Sequence, residues 1–280
     1  MRQAAPSHRI GLADLTAGRI WSAGMRRIED LPQAMAWHLS GRAKANRKRL
    51  RNFKDLHEGA RCFIIANGPS LARTDLRPLK AETTFGMNRI YLNFKEMGFQ
   101  TSYYLAINEL VLNQFAGEIA YLGMPKFLNW NQRKRFREVN DLNYLRLKLG
   151  FHDTFISDIS RPLCSGGTVT FAALQVAFYM GFQQVVLVGL DHRFASKGRP
   201  NEVQVRAEAR DQNHFHPNYF PAGSRWQLPD LRRSELAYGL ARRAYEAEGR
   251  IILDATVDGA CPVFEKVTYE SLFNVSYDGG

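Results

Sequence analysis

Three asparagines, Asn67, Asn88 and Asn108, each close a short apolar run, and those runs read as strands. A primary amide both donates and accepts, so several of them at one edge can grip a base, a ribose or a phosphate. Two glycine-bearing turns occur at comparable places: Ser165-Gly166-Gly167-Thr168 ahead of a long apolar stretch, and Gly189-Leu190-Asp191 after another. The first asparagine opens Asn67-Gly68-Pro69-Ser70-Leu71, which cannot continue a strand. Gly68 can take dihedrals closed to other residues, Pro69 suits a first helical turn, and Ser70 offers a capping hydroxyl. The segment predicts a strand, a tight turn and a helix whose outward N–H groups favour an anion such as a nucleotide phosphate. Ser165-Gly166-Gly167-Thr168 predicts a second helix start of that kind.

To bring these residues together the chain needs a sheet whose strands all end at one edge. From Arg61 onward strand-like and helix-like stretches alternate. Phe63–Ala66, Thr83–Asn88, Thr101–Ile107, Pro125–Trp130, Asn143–Leu147, Gln184–Gly189 and Arg250–Asp254 read as strands, and Arg89–Met97, Thr168–Met180 and Ser234–Glu248 as helices. Such alternation predicts an α/β fold, a doubly wound and mostly parallel, Rossmann-like sheet with helices on both faces. Ligands of such sheets bind at the carboxyl ends of the strands, where the asparagines and glycine turns fall. Residues 191–230 break the rhythm; they are polar and contain His192, His214 and His216, which suggests a lid or binding loop with short helices. The reading divides the chain into a helical basic N-terminal arm (1–60), a nucleotide-binding domain (61–273) and a tail (274–280).

The 280 residues, 45% of them apolar, suffice for a core. No run approaches a membrane span, and the first residues lead into no apolar signal segment, so a cytoplasmic location is expected. Cys62, Cys164 and Cys261 lie far apart with no CxxC, which points away from a disulfide framework or a zinc knuckle. The net charge of +11 is uneven: residues 1–60 carry 12 Lys/Arg against 5 Asp/Glu. Trp21, Met25, Ile28, Met35 and Leu39 form an apolar stripe interrupted by Pro32, and a basic stretch from 42 to 54 follows. That stretch suits either peripheral contact with an anionic membrane or a packed arm with a solvated basic rim. No nucleic-acid motif accompanies the charge, so nucleic acid is not an expected partner; a second copy of the chain is a further candidate.

The ordered set Asn67-Gly68-Pro69-Ser70-Leu71, Asn88, Asn108, Ser165-Gly166 and Gly189-Leu190-Asp191 resembles the bacterial family 42 sialyltransferases. From Arg61 to Phe273 the chain also resembles the MptE-like family, which includes the motility-associated-factor glycosyltransferases and 6-hydroxymethylpterin diphosphokinase. Asn213-His214-Phe215, Pro217, Tyr219, Trp226, Pro229-Asp230 and Glu235–Tyr238 contribute to that broader likeness. The sialyltransferase resemblance implies a CMP-activated sugar donor, such as a nonulosonate, held near Asn67, Gly68, Ser70, Asn88, Asn108, Ser165, Gly166 and Gly167, with a glycan as acceptor. It also implies His214 as the general base. Where that family binds the leaving phosphate with tyrosines, this chain has Leu187 and Arg193, and Arg193 or Arg161 can supply charge beside Asp191. No cofactor is required for that reaction. The diphosphokinase alternative takes ATP and Mg²⁺, with Asp191 and Asp211 or Glu109 as candidate ligands. A third reading is a nucleotide-binding scaffold without catalysis.

Overall fold

The computed structural model describes residues 17–136, 142–150, 152–207 and 210–273; the tail at 274–280 and the first sixteen residues of the arm lie outside them. The chain divides into two compact units, one ending at Lys44 and one beginning at Ala45. The first contains helix α1 (Ala17–Leu39), which is followed by α2 (Gly41–Arg51). Among the described residues no helix is long and apolar enough to cross a membrane.

The second unit is built on β1 (Arg61–Ile65), β2 (Thr84–Met87), β3 (Tyr103–Ala106), β4 (Lys126–Asn129), β5 (Leu142–Leu145), β6 (Gln184–Val188), β9 (Ile251–Asp254) and β10 (Glu265–Lys266), in the order β10-β9-β6-β1-β2-β3-β4-β5. Every pairing in this sheet is parallel, with Ile64 of β1 opposite Phe85 on one side and Leu187 on the other. This is the Rossmann-like α/β fold that the alternation predicts. Cys62, Phe63, Ile64 and Ile65 are fully buried, as a parallel strand covered on both faces requires. Helix α6 (Val169–Tyr179) lies over β1, β2 and β3 and is buried along nearly its whole length. Its one buried amide, Gln175, is fully engaged: Nε2 donates to the carbonyls of Cys164 and Phe171, and Oε1 accepts from the Ile156 N–H. Helix α7 (Leu231–Ala247) packs on α6 and β9, capped by Asp230 at its start. All three cysteines are buried free thiols.

Two expected elements take other forms. The stretch Arg89–Met97 is a 3-10 turn (Ile90–Asn93) and a single turn of helix, α3 (Phe94–Met97), closed by Gly98 in the left-handed region. The lid carries no helix among its described residues; it holds an antiparallel hairpin, β7 (Val203–Val205) with β8 (Arg225–Gln227). That hairpin is fixed to α4 (Glu109–Gln114), which the short α5 (Ala116–Ala120) follows, by a side chain of α4. The Gln114 Nε2 donates to the Arg225 carbonyl and its Oε1 accepts the Arg225 N–H, both at 2.7 Å. Nearer the sheet, the Phe215 N–H donates to the Asn67 carbonyl at 3.1 Å and the Tyr219 hydroxyl accepts the Arg89 N–H. The buried Arg89 guanidinium, over the Phe115 ring and paired with Glu118, donates to the carbonyls of Asn218 and Tyr219. A largely polar segment with only a small aromatic cluster of its own, Tyr219, Phe220 and Trp226, is thus held by hydrogen bonds to the sheet edge.

Candidate active site

The chain leaves β1 for β2 on one side of the sheet, while β6 lies on the other, so the carboxyl ends of β1 and β6 flank the topological switch point. Asn67-Gly68 and Gly189-Leu190-Asp191 sit there. The Gly68 backbone is extended (φ −70°), so its glycine is not demanded by torsion; a Cβ at this position would lie 1.8 Å from Asp191 Oδ2. Space is the reason. Asp191 closes on the next turn: its Oδ1 accepts the Ser70 N–H at 3.0 Å, and its Oδ2 accepts the Ser70 hydroxyl at 2.6 Å. The predicted helix is a five-residue 3-10 turn, Pro69–Arg73, and the anion at its start is the protein's own carboxylate. Burial pushes the Asp191 carboxyl up from its ordinary range, against the lowering effect of the Ser70 bonds and Arg73.

Two adjoining cavities open at this edge. The first, about 130 Å³, is lined by Asn67, Gly68, Asp191, His192, Arg193 and Tyr238 among others. The second, about 170 Å³, takes in Asn88, Asn108, Gly167, Tyr219 and Trp226. His214, Thr168, Val169, Phe194 and Pro229 line both. Of the residues singled out in the sequence, Asn67, Gly68, Asn88, Asn108, Gly167, Asp191, Arg193 and His214 are therefore brought together. Ser70, Ser165, Gly166 and Arg161 line neither cavity. Gly166, left-handed at φ +58°, is buried against Ala237 and Phe171; Ser165 Oγ accepts the Gly167 N–H; and Arg161 lies beside Asp158.

The three asparagines differ in role. Asn108 caps α4, its Oδ1 accepting the Leu110 and Val111 N–H groups. The Asn67 Nδ2 donates to the Met87 carbonyl at 3.0 Å, which fixes the amide's orientation and leaves Oδ1 as a buried acceptor with no protein partner among the described residues. The Asn88 Oδ1 is likewise buried and unsatisfied. An unmet buried acceptor costs about 1–3 kcal/mol, so two of them beside cavities call for donors from outside the chain. A fourth strand-end amide, Asn129, which the sequence reading passed over, donates from Nδ2 to the Ile107 carbonyl and caps its own turn through Oδ1.

His214 has a complete supporting shell. Its Nδ1 lies 3.0 Å from Asp211 Oδ2, and the Asp211 side chain is fully buried. Burial raises the Asp211 carboxyl, but the His214 hydrogen bond and charge, the Asn213 N–H and Arg206 outweigh it and hold it below the usual range. An ionised carboxylate only accepts, so Nδ1 carries a proton, and in the neutral form of the ring Nε2 is the nitrogen with the lone pair. The ring lies parallel to Tyr219 (centroids 3.9 Å apart, 4° between planes), with Phe220 and Trp226 edge-on. These walls fix the imidazole plane. Asn213 braces the loop, its Oδ1 accepting the Ala195 N–H and its Nδ2 donating to Ser196 Oγ.

A second imidazole–carboxylate pair borders the first cavity. His192, held at φ +56°, places Nε2 2.9 Å from Glu235 Oε1 of α7. Across from it, burial pushes the Tyr238 hydroxyl up to about 12. Asp211 and Glu235 were not identified as partners in the sequence; only the i, i+3 spacing of Asp211 and His214 hints at the first. Among the described residues no group of three or more His, Cys, Asp or Glu side chains converges as a metal site. Asp191 and Asp211 are each committed to a protein partner, and Glu109 is an exposed residue in the first turn of α4.

No protein-family model matches the chain, and no curated protein matches it in sequence. Among solved structures, the MAf glycosyltransferase from Magnetospirillum magneticum AMB-1 is similar, with a TM-score of 0.50 and 14% identity over 92% of this chain. The chain spans 43% of the length of that protein. At this identity the likeness is one of fold: a Rossmann-like sheet of the kind a glycosyltransferase is built on.

Proposed function

We propose that the chain transfers a sugar from a nucleotide-activated donor to an acceptor hydroxyl, with His214 as general base and a CMP-activated sugar of the nonulosonate class as donor. One observation carries the reading: a histidine oriented by a buried carboxylate lines both cavities above the switch point of a nucleotide-binding type of sheet. The base thus stands between a donor subsite and an acceptor subsite. The fold shared with a glycosyltransferase supports it.

In the reaction the acceptor O–H gives its proton to His214 Nε2 as the oxygen attacks the anomeric carbon. The carbon–oxygen bond to the donor phosphate breaks, and its electron pair leaves with that oxygen, so the configuration inverts. The imidazolium that forms is stabilised by Asp211. The departing nucleotide is a phosphate monoester, which needs charge compensation rather than a proton. Arg193 and the N-terminus of α6 at Thr168–Val169 border the same cavity and can supply it. The unmet acceptors of Asn67 and Asn88 suit an exocyclic base amine and a ribose hydroxyl.

A thermal-shift series with CMP, CDP, UDP, GDP and ATP, each with and without Mg²⁺, tests the donor class. CMP should stabilise the protein most, independently of Mg²⁺. Stabilisation by ATP alone, and only with Mg²⁺, would reject the transfer reaction in favour of a kinase.

A further inference from the structure

Helix α1 presents Met25, Ile28, Leu31, Met35 and Leu39 to solvent, each between 38% and 77% exposed. Spacings of three and four place them along one side of the helix. Trp37 is the buried side chain of its described part. Five neighbouring large aliphatic side chains left in water mark a surface that something covers.

The sequence on either side indicates what. Residues 1–44 carry seven Lys/Arg against three Asp/Glu, and the chain continues through Lys44, Lys48, Arg49 and Lys54, all exposed. An apolar helical face coupled to a cationic stretch is complementary to an anionic bilayer, into whose headgroup boundary such a helix lies flat. The helix is not apolar enough to span. A second copy of α1 is the rival occupant. Pro32 argues against it, because it falls inside the helix on the seam between Ile28 and Met35, removes a backbone hydrogen bond and kinks the cylinder that a coiled coil needs straight.

We infer that α1 is an interfacial helix that docks this protein on anionic lipid, its aliphatic face in the headgroup boundary and the following lysines and arginine supplying the attraction. The inference is independent of the transfer reaction.

Flotation of the full chain with phosphatidylcholine vesicles, with and without phosphatidylglycerol, tests it. Binding should need the anionic lipid and fade with salt, since the attraction acts over a Debye length of about 8 Å at physiological ionic strength. Ile28→Glu with Leu39→Glu should lower partitioning more than about tenfold, and Lys44→Ser with Lys48→Ser should do the same at low salt. Unchanged thermal melting of the variants would establish that they fold. No binding to anionic vesicles at low salt, or binding indifferent to both variants, would overturn the inference. So would sedimentation of the lipid-free protein as a dimer that Ile28→Glu dissociates.

Discussion

The Asp191 carboxylate and the Ser70 N–H, 121 residues apart in the chain, meet at 3.0 Å, so the first turn beyond the central strand already holds an anion. In the proposed reaction a nucleotide phosphate would be directed away from that turn, toward Arg193 and the start of α6. Gly68 keeps the carboxylate in place by lacking a side chain.

Gly68→Ala should break this arrangement, because its Cβ falls on Asp191. The crowding should cost about 1–3 kcal/mol of stability and weaken nucleotide binding. Denaturant unfolding and calorimetry with CMP measure both; a variant with wild-type stability and affinity would show that the close approach has no consequence.

His214→Ala should reduce kcat by about 10²–10⁴-fold with little change in donor affinity, and its rate–pH profile should lose the acidic limb. Asp211→Asn should reduce kcat less than His214→Ala but lower kcat rather than raise KM, since it disturbs the tautomer and not the pocket. His216→Ala should be nearly silent. Wild-type turnover in the His214 variant would end the assignment.

The Asp211 carboxyl titrates lower in the folded chain than in the unfolded one. Its contribution to stability is fully present above the ordinary carboxylate pKa of about 3.9 and is lost as pH falls through the depressed folded value. The difference in Tm between wild type and Asp211→Asn should thus be largest near neutrality and shrink in acid. A difference that grows as pH falls would contradict the ionised pairing.

Arg193 makes no hydrogen bond or ion pair among the described residues, yet it borders the first cavity. Arg193→Ala should leave melting unchanged while weakening CMP about tenfold, the loss of one charge-assisted contact. The deficit should narrow with added salt. Equal affinities would place the phosphate elsewhere.

What the sequence disclosed was local. The apolar run at Phe63–Ile65, the largely apolar α6 and the asparagines at strand ends depend on near neighbours, and the parallel sheet follows from their alternation. What it concealed depends on where distant segments come to rest. Ser70 is claimed by Asp191, and His192 by Glu235 43 residues on, because β6 ends and α7 begins beside the same cavity. Gly68 was legible as a turn residue for the wrong reason: torsion was suggested by its type, whereas crowding is visible only once Asp191 is in place. The lid reads as loop because its order comes from bonds to β1, α4 and Arg89 and from an aromatic cluster of Tyr219, Phe220 and Trp226 that follows no strand or helix period.

The double bond between the Gln114 amide and the main chain of Arg225 has a bearing on evolvability. Gln114 recognises the hairpin as a neighbouring strand would, by backbone alone, and Val203, Val205 and Arg225 leave their side chains exposed. The anchorage is therefore indifferent to those three identities. Mutation can vary them without loosening the loop that carries His214, so this part of the hairpin's outer face is free to diversify while the surroundings of His214 stay fixed.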